Sequence, residues 1–303
     1  SVIGIILLAI FIIIGYRVGQ MVIELNTPVI PKINTTELII PEQPSTTAIR
    51  WNHFPLTVYI NDNFIRQKNP EYVADVKTAL DIWQSTGIVS FTVIDNSEAD
   101  ITIEWVPNLK EKATDTLGNT DLKFINISQF GIIQNATIEL LTKSESRRLD
   151  SNDMTNLALH EIGHAIGLQH INEDDIMNPT LTIPSNAVKE ISTSNTNNLQ
   201  ELYKSPAKPD LRIGEVNATK ATFTRFAQNY FYLNISLEIQ NVGLIDAGSY
   251  NIQLRADNLI INEGSQVGLE IGNILNVFQG NLKIERNFTS VQVSIDPQNA
   301  IDE

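Results

Sequence analysis

The chain has 303 residues, 42% of them hydrophobic, and a formal net charge of -14. That is length enough for two domains with their own cores, and the acidity argues against nucleic acid or an anionic lipid surface as partner, since both select basic patches. There is no cysteine, so disulfides, thiolate metal sites, a cysteine nucleophile and a thiol-based latency switch are excluded.

The first element is "SVIGIILLAIFIIIGY", apolar without interruption from Val2 to Tyr16 and followed by Arg17 and "VGQMVI". A bilayer needs about 20 residues, and snorkelling of Arg17 and Gln20 lets a span reach Ile23. No small-x-small site follows the run, which favours a retained anchor over a cleaved signal peptide. A mature pilin-like start and a buried globular helix are the lesser alternatives. Neither an initiator Met nor a basic residue precedes the run, as expected of a fragment or of a chain processed at its front. The expectation is a transmembrane anchor over residues 1–23 with the remainder on the outer side, at the cell surface. Residues 24–49, with Pro28, Pro31, Pro41 and Pro44 among many threonines, read as a semi-extended stalk.

Order is expected from about Trp51. "PLTVYIND" (55–62) alternates Leu56, Val58 and Ile60 as a strand does. "NPEYVADVKTALDIWQSTG" (69–87) sets Val73, Val76, Leu80 and Trp83 at helical spacing, with Pro70 in the first turn and Gly87 at the stop. "SFTVID", "ADITIEWV", "KFINIS" and "NATIELLT" read as strands, and "DTLGNTD" (115–121) as a loop without the spacing of a calcium site. "SNDMTNLALHEIGHAIG" reads as a helix with Ser151 as N-cap and Asp153 in its first turn. A long loop follows, then a last helix in "STSNTNNLQELYKS" with Leu199 and Leu202 inward. "PAKPD" (206–210) marks a boundary. Beyond it only strand signals recur, the best being "YFYLNISLEIQN" (230–241), in which Phe231, Leu233, Ile235, Leu237 and Ile239 share one face. "SYNIQLRAD" and "VQVSIDP" follow, and the whole segment reads as a β-sandwich. Asn-x-Ser/Thr sequons begin at Asn34, Asn126, Asn135, Asn217, Asn234 and Asn287, several of which an Asn- and Thr-rich chain produces by chance.

Chemistry concentrates in "HEIGHAIGLQHINEDDIMNP" (160–179), which holds three of the four histidines in the chain. On a helix, His160 and His164 lie one turn apart on one face and can bind one zinc. Glu161 is offset by about 100°, so it can reach a water at the metal without ligating the metal itself. Leu159, Ile162 and Ile166 form a separate apolar face. Gly167 can take the positive φ that ends the helix and returns the chain, which brings His170 back as a third ligand. Three neutral imidazoles leave one position open, the arrangement of a catalytic zinc site. His53, the fourth histidine, precedes the first strand and reads as structural.

"HEIGHAIGLQH" followed by "IMNP" resembles the metzincin metallopeptidases, with Met177 as the Met-turn. Upstream, the Trp before "PLTVYI", "ALDIWQ", "SFTVID" and "ADITIEWV", and downstream "NLQELY", are similar to the matrixin branch. The resemblance covers 50–205 and implies an α+β catalytic domain: a twisted, mostly parallel sheet on the active-site helix, with the cleft between an upper and a small lower subdomain. It implies zinc (Zn2+) as cofactor, His160, His164 and His170 as ligands, Glu161 as base, Met177 beneath the metal, and protein or peptide substrates. The spacing from His170 to Met177 is about one residue shorter than in most matrixins, and the histidines of a second, structural zinc are missing. The segment 209–303, through "PDLRIGEV", "ISLEIQNVGLIDAGSYNIQL" and "SIDPQNAIDE", resembles the CARDB-type domain, an all-β immunoglobulin-like sandwich of prokaryotic surface proteins. That resemblance implies a spacer or a module for a cell-surface partner. The reading is a surface-tethered zinc endopeptidase. Its alternative is a zinc-containing adhesin, or a filament or layer component, in which the peptidase fold has no turnover.

Overall fold

The computed structural model describes residues 48–109, 116–127, 130–144, 147–171, 174–225 and 228–303. The anchor and most of the stalk expected before Ala48 lie outside the described residues. Among the described residues no helix is long and apolar enough to cross a membrane. The described chain divides into two compact units, one ending at Ala207 and the other running from Lys208 to Glu303.

The first unit is built on a mostly parallel sheet. Its strands are β1 (Ala48–Arg50), β2 (Leu56–Asn61), β3 (Phe91–Val93), β4 (Ile101–Trp105), β5 (Gly118–Ile127) and β6 (Phe130–Leu140). The order is β1-β6-β4-β2-β3, every neighbour parallel, with β5 added antiparallel to β6. A two-stranded ribbon, β7 (Lys143–Ser144) with β8 (Arg147–Arg148), then leads to the helix that carries the histidines. β1 begins two residues inside the segment assigned to the stalk.

Among the described residues three helices complete the unit: α1 (Tyr72–Gln84), α2 (Ser151–Ala165) and α3 (Thr193–Tyr203). Helix α1 is shorter than its pattern. Pro70 precedes the helix, because the chain first makes a turn closed from Tyr72 N–H to the Asn69 carbonyl, and Gly87 (φ +73°) lies beyond the C-cap Ser85. Val76, Leu80 and Trp83 are buried as their spacing requires. Leu199 of α3 is wholly buried, and Leu202 partly so.

Two further expectations are corrected. The N-cap of α2 is Asp150, whose carboxylate accepts from Asp153 N–H (3.0 Å) while Asp153 accepts from Asp150 N–H (3.2 Å). This reciprocal box closes only when the residue three on carries a side-chain acceptor that can reach back, and Ser151 has Met154 there. Ser151 is instead the first helical residue and donates its hydroxyl to Asp75 on α1. The "DTLGNTD" stretch is also not a loop throughout, since Gly118 to Asp121 pair with β6 as the start of β5.

The core of this unit presses α2 onto α1 and the sheet. Leu159, Ile162 and Ile166 are wholly buried, as the apolar face requires. Two buried indoles hold the helix by its backbone: Trp83 Nε1 donates to the Leu159 carbonyl (2.9 Å) and Trp51 Nε1 to the Ala165 carbonyl (2.8 Å). Each bond satisfies a polar ring atom that would be costly to bury unpaired.

The second unit is all β. Strands β9 (Leu211–Arg225), β10 (Gln228–Asn241) and β13 (Ile274–Ile284) form one antiparallel sheet, and β11 (Tyr250–Ala256), β12 (Leu259–Gln266) and β14 (Val291–Ile295) form another. Leu233, Ile235, Leu237 and Ile239 of β10 are buried in one core with Tyr250, Ile252 and Leu254 of β11. Among the sequon asparagines, Asn234 Oδ1 accepts from Asn281 N–H (2.7 Å), and Asn135 Nδ2 lies 3.2 Å from the Ala99 carbonyl.

Candidate metal centre and cleft

Helix α2 is the floor of the site. Asn156, His160 and His164 recur every fourth residue, a spacing that keeps all three on one side, and each holds the chain that follows the helix. Asn156 Nδ2 donates to the Ala187 carbonyl (2.9 Å), and its Oδ1 accepts from Lys189 N–H (2.7 Å). His160 Nδ1 donates to the Ile176 carbonyl (2.7 Å) and His164 Nδ1 to the Leu168 carbonyl (2.9 Å). A carbonyl oxygen only accepts, so each ring carries its proton on Nδ1 and turns the Nε2 lone pair into the site.

The helix stop supplies the third ring. Gly167 has φ +96°; its N–H donates to the His164 carbonyl (2.9 Å), and Leu168 N–H donates to the Gly163 carbonyl (3.0 Å). This pair of bonds is the Schellman termination, which reverses the chain. His170 then meets the helix. Its Nε2 lies 3.2 Å from that of His160 and 3.0 Å from that of His164, and the two helical Nε2 atoms are 3.1 Å apart.

This donor set fits zinc. Around tetrahedral zinc with Zn–N of about 2.0–2.1 Å, ligating nitrogens are about 3.3 Å apart. Lone pairs of neutral imidazoles brought this close repel one another, and a shared cation removes the repulsion. Exposure rises from buried His160 to exposed His170, so the cluster opens to solvent on one side. Burial, with His164 and His170 adding to it, pulls the His160 imidazole down to about 4, against the opposing bond to the Ile176 carbonyl. Burial is also the main cause lowering His164. Both rings are therefore neutral near pH 7, the form that binds metal.

Glu161 is 5% exposed and points at β5. Its Cγ, Cδ and Oε1 pack against Gly118, and its Oε2 lies 2.7 Å from Thr120 Oγ1, which is also 3.0 Å from the Glu161 carbonyl. Met177 is wholly buried, its Sδ against Gly163, where a Cβ would overlap the sulfur and lie 3.1 Å from the Trp83 ring. The turn carrying Met177 is closed by Ile171 N–H donating to the Met177 carbonyl (3.0 Å) and Met177 N–H donating to Asp175 Oδ1 (3.0 Å). Asn195 of α3 donates to the same Asp175 oxygen, so the turn is tied to the last helix.

Above the floor lies a cleft of about 830 Å³, walled by Leu117 to Leu122 on one side and by Pro179 to Leu181 with Ile183 on the other. The structure thus brings His160, His164 and His170 together, with Glu161 lining the same cleft, while Met177 is buried against Gly163 of the same helix. His53 lies outside the cluster, its ring nitrogens at 2.9 Å from Asn52 Oδ1 and 3.4 Å from Asp100 Oδ2. Sequence reasoning misses Asn156, Asp175, Asn195, Gly118 and Thr120. Stepping four residues back from His160 finds Asn156. Thr120 carries no such signal, being 41 residues from Glu161 in the chain.

The sequence pattern of the Matrixin family matches residues 50–204. Matrix metalloproteinase-26 of Homo sapiens is 26% identical over 170 residues, 54% of this chain and 62% of that protein. Matrix metalloproteinase-16 is 25% identical over 176 residues in both Homo sapiens and Mus musculus, 54% of this chain and 28% of those proteins. The chain therefore spans less than two thirds of the length of these relatives, and the likeness lies in the unit that holds the three histidines. With the family pattern covering half of the chain over that unit, the chain belongs to the matrixins, a family whose metal is zinc.

Proposed function

We propose that the chain is a zinc-dependent endopeptidase held at the cell surface. The observation that carries the proposal is the convergence of three imidazole Nε2 atoms within 3.2 Å of one another beside a buried carboxylate that is not one of them. Zinc supplies Lewis acidity, polarising a carbonyl oxygen and bringing the pKa of water down to about 7. His160, His164 and His170 hold it. Glu161 accepts a proton from the attacking water as the water oxygen bonds to the scissile carbonyl carbon. It delivers that proton to the leaving amine as the C–N bond breaks.

Substrate orientation follows from β5. One edge of this strand pairs with β6, and among the described residues no strand pairs with the other. The strand also forms one wall of the cleft. An extended peptide adds to such an edge by main-chain hydrogen bonds, which carries its scissile bond past Glu161 and the histidines. Protein or peptide substrates of varied sequence suit this mode, because main-chain bonds ignore side-chain identity.

Tethering rests on the apolar run from Val2 and the proline-rich stretch after it. In this reading residues 1–23 anchor the chain, 24–49 form the stalk, 50–205 cleave peptides outside the membrane, and 209–303 act as a CARDB-like, immunoglobulin-like spacer or adhesion module.

The peptidase reading is tested by stripping the metal with a chelator and titrating zinc back while following peptide cleavage. Activity is expected to rise with occupancy and saturate at one zinc per chain. Cleavage by the metal-free protein, or full occupancy without cleavage, would refute it, the latter in favour of the adhesin alternative.

A further inference from the structure

Resting on the reading of Glu161 as the base, we propose that Thr120 is a positioning residue for it, holding the carboxylate in its working orientation through Oγ1. Strand geometry makes this possible. Gly118 and Thr120 are two apart, so they face the same side of β5, opposite Leu140 and Ile138 of β6. Asn119 and Asp121 face the other way and bond each other, Nδ2 to Oδ2 at 3.0 Å. The side turned to α2 is therefore a two-residue socket. Gly118 contributes space, since a Cβ there would overlap Oε1, Cδ and Cγ of Glu161. Thr120 contributes a donor, 2.7 Å from Oε2.

A glutamate has three rotatable side-chain bonds, and general-base catalysis works only where the accepting oxygen is within hydrogen-bond reach of the proton. The Thr120 hydroxyl pins one carboxylate oxygen and so restricts where the other can go. Packing alone does not require this hydroxyl. Valine has nearly the same shape and is at least as good a strand former, yet it cannot donate to Oε2. The hydroxyl also lies 3.0 Å from the Glu161 carbonyl, but it has a single proton, and the shorter, charge-assisted contact to Oε2 takes it.

The test compares Thr120→Val, Thr120→Ser and Glu161→Gln in the full chain, measuring kcat, KM, zinc content and melting temperature, with crystal structures of the wild type and Thr120→Val. For Thr120→Val we expect kcat to fall about tenfold, the usual loss for one bond to a charged group, with KM, zinc content and melting temperature unchanged. We also expect Glu161 to occupy more than one rotamer in that crystal structure. Thr120→Ser, which keeps the hydroxyl, should retain most of the activity. If Thr120→Val does not fold, Thr120→Ala against Thr120→Ser is judged by the same criteria. Wild-type kcat in Thr120→Val beside an inactive Glu161→Gln would overturn the positioning role alone, as would a loss in Thr120→Ser equal to that in Thr120→Val. Wild-type activity in Glu161→Gln would overturn the base assignment itself.

Discussion

At the scale of single residues, the histidines set a link between pH and stability in the metal-free protein. Burial holds the His160 imidazole down to about 4 in the folded state, against about 6.5 in an unfolded chain. The folded state therefore refuses a proton that the unfolded state accepts, and stability is complete above about 6.5 and is lost as pH falls toward 4. Between pH 6.5 and 5, before carboxylates contribute, unfolding free energy should fall by up to about 1.4 kcal/mol per pH unit from this ring. Urea titration of metal-free protein across that window, beside His160→Gln, measures the effect. The wild type should show the slope and the variant a flatter profile. Equal slopes in the two would mean that His160 does not carry the linkage.

Among the elements, α2 and its stop carry the site, and Gly167 is the position where they are most exposed to change. Its φ of +96° is outside the range that side chains tolerate, and a Cβ there would overlap the Ile49 carbonyl on β1. Gly167→Ala should lower stability by about 1–2 kcal/mol and weaken zinc binding, because the turn that delivers His170 is displaced. Denaturant titration and zinc affinity report both, and wild-type values for each would contradict this role. The helix and its stop are legible in the sequence because their signals are local: an apolar period, a four-residue histidine spacing and a glycine at the end. The start lies one residue before the expected Ser151, because Asp150 and Ser151 both cap helices and only the partner three residues on separates them. The beginning of β5 is not legible. Its residues, Gly118 to Asp121, are poor strand formers, and pairing with β6 imposes the conformation. With the strand went Thr120 and Gly118, whose bearing on Glu161 exists only once β5 lies beside α2.

At the scale of the whole molecule, the described chain divides between Ala207 and Lys208, within the "PAKPD" stretch (206–210) where the sequence pattern changes. The alternation along β10 predicted its buried face, from Leu233 to Ile239. The strand order in the two sheets was not legible, since it depends on pairings between distant segments such as β10 with β13. The proposed anchor predicts that the intact chain stays with the membrane fraction until detergent is added, and that protease added to whole cells reaches the all-β unit. Intact chain in the detergent-free soluble fraction would contradict the anchor. The account as a whole depends on a carboxylate that acts on water beside a metal it does not ligate. The most direct test is the peptide cleavage rate of Glu161→Gln with bound zinc measured on the same sample. The account predicts one zinc per chain and a rate lower by roughly 10²- to 10⁴-fold; a zinc-loaded variant that cleaves at the wild-type rate, or one that has lost its zinc, would contradict it.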